Sequence, residues 1–92
     1  MQFEWDSDKA EKNLAKHGLG FVLAARVFAD PRRITTVDSR HDYGEVRQNT
    51  IGAVDGQLIA SVTHTDRAGI TRIISARSAS RKERRIYHEQ TC

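Results

Sequence analysis

Phe3, Glu4 and Trp5 alternate apolar and polar, which predicts a short first strand. Asp6 follows as an N-cap. Ala10, Leu14 and His17 then recur at helical spacing, with Asn13 beside them. Gly18 suits the left-handed residue that closes a helix, so the pattern predicts a helix over residues 7–17. Asp8 and Lys12 stand four apart on it, in the order that favours an ion pair. Phe21, Val22, Ala24, Ala25 and Phe28 mark a second, shorter helix. Asp30-Pro31 ends it, because proline lacks an amide donor and restricts the residue before it. Ile34 to Val37 reads as a strand, and the polar stretch from Asp38 to Glu45, with Gly44, as a loop.

Three more strands follow, over Asn49–Val54, Leu58–Thr65 and Ile70–Arg77. Asp55-Gly56 is a two-residue hairpin signal, and Asp66 to Gly69 a turn, so these strands pair as an antiparallel meander. Ser80 and Glu83 form a capping box, which starts a last helix over about residues 81–89. The order is β-α-α-β-β-β-β-α. That is an α+β domain, a small antiparallel sheet packed with helices. Phe3 and Trp5 belong to its core.

A length of 92 residues suits a single domain over 1–92. Hydrophobic residues at 38% and charged residues at 29% fit a globular chain and not a disordered one. The lone cysteine, Cys92, excludes an internal disulfide and a thiolate metal cage. No apolar run approaches a membrane span, and the N-terminus has no signal pattern, so a cytoplasmic protein is expected.

Charge changes the picture more. Residues 1–46 carry 7 basic and 8 acidic residues, while residues 47–92 carry 8 and 4. The last helix places Arg81, Arg84, Arg85 and His88 on one face. Its apolar side offers only Ala79 and Ile86, flanked by Tyr87, so it packs weakly by itself. Like charges at this spacing repel, and an anionic ligand or partner relieves the repulsion.

Phe3-Glu4-Trp5-Asp6 and Asn13-x-x-Lys16-His17-Gly18 open a longer series. Val27-Phe28-x-Asp30-Pro31 continues it, then Asp38, His41, Gly44-Glu45-x-Arg47 and Ile51-Gly52. His64-Thr65-Asp66-Arg67, Arg72 to Arg77 and Ser80-Arg81-x-Glu83-Arg84-x-x-Tyr87 complete it. This series resembles the BrnT toxins over nearly the whole chain. Departures are Gly20 where relatives carry Ser or Thr, Val46 and Gln48 in place of an acid and an aromatic, and His64 at a position that admits Tyr. The resemblance implies a RelE-like fold and a ribonuclease toxin of a type II toxin–antitoxin system. It implies RNA cleavage without metal or cofactor, which arrests translation. It also implies a BrnA-like antitoxin that neutralises the toxin and carries the DNA-binding part, so that operator DNA is met only through the complex.

Metal-free RNA cleavage needs a base for the 2′-hydroxyl, cations for the charge on phosphorus, and an acid for the leaving 5′-oxygen. Glu45, Arg47, His64, Arg72 and Arg77 are the catalytic candidates. His64, Glu45 and His17 compete for the acid and base roles. Lys16, His17, Arg81, Arg84 and Arg85 are the candidates for binding RNA. Arg72 and Arg77 are an odd number apart, so an ideal strand puts them on opposite faces unless a bulge intervenes. Lys16 and His17 also suit the negative end of a helix, and His17 shares the Ala10–Leu14 stripe that would bury it. His17, His41, His64 and His88 match no zinc spacing, so no metal site is expected. No phosphate-cradling glycine loop or nucleophile elbow is present. The rival reading is a non-catalytic RNA- or antitoxin-binding domain.

Overall fold

The Asp6 carboxylate accepts hydrogen bonds from the amides of Asp8 and Lys9, at 2.9 and 3.1 Å. Gly18 closes the same helix at φ 71°, its amide donating to the Leu14 carbonyl at 2.8 Å. These caps bound α1 (Ser7–His17) as the sequence predicts. The computed structural model describes residues 1–38 and 45–91. The interior of the expected Asp38–Glu45 loop, with His41 and Gly44, lies outside the described residues, as does Cys92. After β1 (Gln2–Glu4) and α1 come α2 (Phe21–Ala24) and a 3-10 turn (Ala25–Ala29). Then follow β2 (Ile34–Asp38), β3 (Arg47–Val54), β4 (Leu58–Arg67), β5 (Ile70–Ser78) and α3 (Arg81–Thr91).

Several expected details differ. The second helix is one α-turn that tightens into 3-10 geometry before Asp30, where the chain turns extended. β4 runs on to Arg67, because Ala68 (φ 52°) and Gly69 (φ 82°) make a two-residue turn, whereas the expected two-residue Asp55-Gly56 turn (φ 53° and 74°) takes in Gln57 as a third residue before Leu58 pairs with Val54. The sheet is mixed, not wholly antiparallel. Its order is β1-β5-β4-β3-β2, and β1 runs parallel to β5 at the edge. α1, α2, the 3-10 turn and the strands β2 to β4 all lie between these two parallel neighbours in the chain, which gives the connection its length.

One sheet face carries the core. Val54, Ala60, Val62, Ile73 and Ala76 pack there against Leu19, Phe21, Ala24 and Val27. Phe3 and Trp5 join it through ring contacts with Phe28 at 5.3 Å and Phe21 at 6.0 Å. Gly52 points the same way. A Cβ there would meet the Val27 carbonyl oxygen at 3.0 Å, so the close approach of the 3-10 turn needs glycine. The charged stripe of α1 is unpaired: Asp8 and Lys12 form no ion pair among the described residues.

β5 is irregular. Thr63 pairs with Ser75 and His64 with Ile73, which leaves Ile74 as an extra residue between them. Such a bulge reverses the alternation beyond it. β1 ends at Glu4 opposite Arg72, so the rest of the β5 edge has no strand beside it. Asn13 fills the gap. Its Nδ2 donates to the Ala76 carbonyl at 2.7 Å and its Oδ1 accepts from the Ala76 amide at 3.1 Å. A buried side-chain amide thus replaces a strand and closes the edge.

The opposite face is half covered by α3. Glu83 anchors its start: its Oε1 accepts from the Ser80 amide at 2.9 Å, while the Glu83 amide donates to Ser80 Oγ at 3.1 Å. Tyr87, buried, anchors its far end by donating to Asp30 Oδ2, which also accepts from the Ala53 amide at 2.8 Å. Polar contacts compensate for the thin apolar stripe.

Candidate nucleic-acid interface

Beside α3 that face carries a row across all five strands, charged except at Thr65, which is buried. Asp38 pairs with Arg47, Arg72 with Thr65, and Glu4 with Arg72. Thr65 lies one position beyond the Gln48–His64 pair of β3 and β4, next to Arg47. The row therefore reads acid, arginine, threonine, arginine, acid. With strands roughly 4.8 Å apart, Arg47 and Arg72 stand about 10 Å from each other. The next row is uncharged: Thr36, Asn49, Thr63 and Ser75 are cross-strand neighbours.

Glu45 is the centre of charge in this region. Its Oε2 receives Arg67 Nη2 at 3.1 Å, and its Oε1 lies 3.8 Å from Arg47 Nε. The Thr65 hydroxyl donates to the Val46 carbonyl at 2.7 Å, which fixes the backbone between Glu45 and Arg47. Arg72 Nη1 lies 3.4 Å from Glu4 Oε2. Two of these residues were not singled out from the sequence. The signal for Arg67 is the period-2 alternation of β4, which puts it on the face of Thr65. Glu4 is an acid on a strand with apolar neighbours, and only the parallel β1–β5 pairing makes it a partner of Arg72.

The remaining candidates separate. The bulge places Arg77 on the same face as Arg72, their β4 partners being Ser61 and Thr65. Arg77 nevertheless binds Glu83 with both Nη atoms, at 2.7 and 3.1 Å. Burial would raise the Glu83 carboxyl, but Arg77, the Ser80 amide and Ser61 together hold it below its ordinary value. His64 points the other way, into the core side. It is buried, its Nε2 shares a 2.7 Å hydrogen bond with Thr50 Oγ1, and Thr50 in turn contacts Thr35 Oγ1 at 2.8 Å. The Phe28 ring meets it edge-on at 4.8 Å. Burial pushes its pKa down despite Asp66. The sheet thus lies between His64 and the arginines. His17 is exposed rather than packed on the Ala10–Leu14 stripe, because Asn13 takes the inward position of α1. Lys16, Arg81, Arg84 and Arg85 are exposed as well. Among the described residues no three His, Cys, Asp or Glu side chains cluster as metal ligands do, and no helix is long and apolar enough to cross a membrane.

A mixed five-stranded sheet with α1 and α2 on its core face, α3 on part of the other, and arginines paired to carboxylates beside α3 defines a small α+β protein. The comparisons agree with that class. A family model described as the ribonuclease toxin BrnT of type II toxin–antitoxin systems matches residues 5–83, and the chain belongs to that family. The crystal structure of the Brucella abortus ribonuclease toxin BrnT, at 1.1 Å resolution, superimposes with a TM-score of 0.65. It is 28% identical, and the match covers 88% of this chain and 99% of that one. No curated protein matches the chain in sequence.

Proposed function

We propose that the chain cleaves RNA without a metal ion on the half of the sheet beside α3, with Glu45, Arg47, Arg67 and Arg72 as the working group. One observation carries this reading: Glu45 is held between Arg47 and Arg67, and Arg47 shares a cross-strand row with Arg72. An RNA phosphate entering the row takes guanidinium forks away from Glu4 and Glu45. Glu45, released toward the sugar, accepts the 2′-hydroxyl proton. The 2′-oxygen then forms a bond to phosphorus as the bond to the 5′-oxygen breaks. A 2′,3′-cyclic phosphate remains, and the 5′-oxygen takes a proton from water, which regains one from the protonated Glu45. The arginines stabilise the charge that builds on phosphorus, and they stay protonated throughout. His64 is a packing residue on this reading, and Arg77 holds α3.

The biological role follows from the family. A type II toxin has a protein antitoxin, and a BrnA-like partner that also carries the operator-binding part fits this one. Cleavage in the cytoplasm arrests translation until that partner neutralises the toxin. The sheet with its flanking helices is read as a variant of the RelE-like architecture.

A second reading has its own observation. Arg47, Arg67 and Arg72 all lie close to carboxylates already, which suits a face that binds RNA or the antitoxin and does not cut. Purified protein with RNA in EDTA decides between them. Cleavage leaving 2′,3′-cyclic phosphate ends, lost in Glu45→Gln, supports the proposal. Binding without cleavage establishes the second reading. Cleavage only after addition of a divalent ion overturns the metal-free mechanism.

A further inference from the structure

Lys9, Lys12 and Lys16 recur along one stripe of α1, about 10 Å long at 1.5 Å per residue. With Asn13, His17, Ile74 and Ser75 they line a groove of about 230 Å³ between α1 and the β5 edge. The bulge makes this groove. Ile74 turns out of register there, and Asn13 closes the backbone edge below it.

Three features set the groove apart from an ordinary solvated helix face. First, no carboxylate lines it. Second, Lys9, Lys12, Lys16 and His17 are all exposed, and none forms an ion pair among the described residues. The Lys9 charge helps lower the N-cap Asp6 carboxyl without an ion pair, whereas Arg67 and Arg77 lie 3.1 and 2.7 Å from their acids. Third, helix stability does not account for the lysines. Cations in the last turn suit the macrodipole, which explains Lys16 and His17, whereas Lys9 in the first turn opposes it.

The groove is also continuous with the proposed cleavage face. Ser75 is the end of the row Thr36–Asn49–Thr63–Ser75, which runs beside the Arg47–Arg72 row. A strand of RNA lying over Arg72 meets Ser75 next, and past Ser75 the α1 lysines.

We propose that this groove is a second phosphate subsite, which takes the backbone of single-stranded RNA beyond the scissile nucleotide. This inference rests on the proposed RNA cleavage and extends it. Lysine ammoniums act as point charges on flexible stems, so the subsite adds affinity without reading bases.

The test uses two non-cleavable 2′-O-methyl oligonucleotides, of about 4 and 12 nucleotides, with binding followed by fluorescence anisotropy across salt concentrations. Each phosphate contact on a single strand contributes about 0.7 to the slope of log affinity against log salt. The longer oligonucleotide is expected to show the steeper slope. In Lys12→Ala/Lys16→Ala the slope difference between the two lengths should shrink by about 1.4, and Lys12→Arg/Lys16→Arg should restore it. Both substitutions are on an exposed face of a capped helix, and alanine favours helix, so the fold survives. An unchanged slope difference, with wild-type protein still cutting RNA, overturns the subsite and leaves the cleavage reading intact. Loss of antitoxin binding by the variant with normal RNA slopes also overturns it, and makes the groove a protein surface. Wild-type protein that neither binds nor cuts RNA overturns both readings.

Discussion

Arg72 and Arg77 stand on the same face of the sheet although they are five residues apart on one strand, because Ile74 of β5 is an extra residue opposite the Thr63–His64 step of β4. Sharing a face does not give them one job. Their β4 partners, Thr65 and Ser61, are four residues apart, so the arginines sit about 13 Å from each other along the sheet. Arg72 lies in the open row beside Glu4, and Arg77 grips Glu83 at the start of α3.

The two arginines should therefore fail differently. Arg72→Ala is expected to cut RNA cleavage by about 10²–10³-fold, the usual effect of removing one transition-state stabiliser, with little change in melting temperature. Arg77→Ala is expected to lose on the order of 1 kcal/mol of stability, discounted because the pair is partly exposed, and so to melt about 4–8 °C lower. Thermal melts and initial rates on the same samples check both. An Arg77→Ala variant with wild-type melting and no activity would move Arg77 into the cleavage site.

The fold was largely legible because its punctuation is strong. Asp6, Gly18, Asp55-Gly56 and the Ser80–Glu83 capping box set element ends by local chemistry, and local chemistry is visible in a sequence. The site was less legible because it depends on pairing between distant segments. Nothing local says that Gln2–Glu4 lies parallel to Ile70–Arg72, so Glu4 could not be matched to Arg72. The bulge at Ile74 is equally silent, and it decides the face of Arg77. His64 is a catalytic candidate by residue type, and its side of the sheet follows from the β3–β4 register. Asn13 left a readable trace, as a poor helix former on the inward stripe of α1, where a buried amide needs partners.

The Tyr87–Asp30 contact predicts how stability depends on pH. Burial first, and then the Asp30 carboxylate, push the Tyr87 hydroxyl up to about 12. A raised folded pKa stabilises the fold fully below the unfolded value near 10 and less as pH climbs toward 12. Urea unfolding should show a loss on the order of 2 kcal/mol across that window. Tyr87→Phe should be less stable at neutral pH and flat over the same window. An identical pH profile in the variant would show that the contact does not hold α3.

At acid pH the signs reverse. Glu83 and Asp30 both ionise below their ordinary values, so each stabilises the fold above the unfolded pKa, 4.5 and 3.8 respectively. That stability is lost as pH falls through the depressed values. His64 acts in the same direction at higher pH. It is buried and its pKa is lowered, so stability falls once pH drops below about 6.5 and the unfolded chain takes up the proton first. His64→Gln should remove the loss near pH 6 and retain RNA cleavage. Loss of cleavage in a folded His64→Gln protein would return His64 to the catalytic group.

Gly52→Ala tests the packing behind the site. The new Cβ would sit 3.0 Å from the Val27 carbonyl oxygen and 3.2 Å from the Val27 Cβ, and Val27 is fully buried. Backbone on one side and core on the other leave little room to yield. The expected cost is about 1–3 kcal/mol, read as an earlier urea midpoint. An unshifted midpoint would mean that the 3-10 turn moves away from β3 freely.

The last prediction concerns inhibition. Arg81, Arg84 and Arg85 are exposed on α3 and form no ion pair among the described residues, while α3 itself is tied down by Glu83 and Tyr87. A held helix with an outward basic face offers an antitoxin a rigid surface for an acidic or amphipathic segment. The half of the sheet beside it is the proposed RNA face, so an antitoxin seated there also obstructs the substrate. Arg84→Glu/Arg85→Glu reverses the charge without touching either anchor. Antitoxin affinity is expected to fall by a few kcal/mol at low salt if the contacts are partly desolvated, and the deficit should shrink as salt rises. RNA affinity should fall with it if the two ligands share the face. Titration calorimetry of the variant against the antitoxin, at two salt concentrations, reads the first effect. Anisotropy with the 12-nucleotide probe reads the second. Wild-type antitoxin affinity in the variant would place the grip elsewhere, and a loss confined to RNA would leave the α3 face as a substrate surface alone.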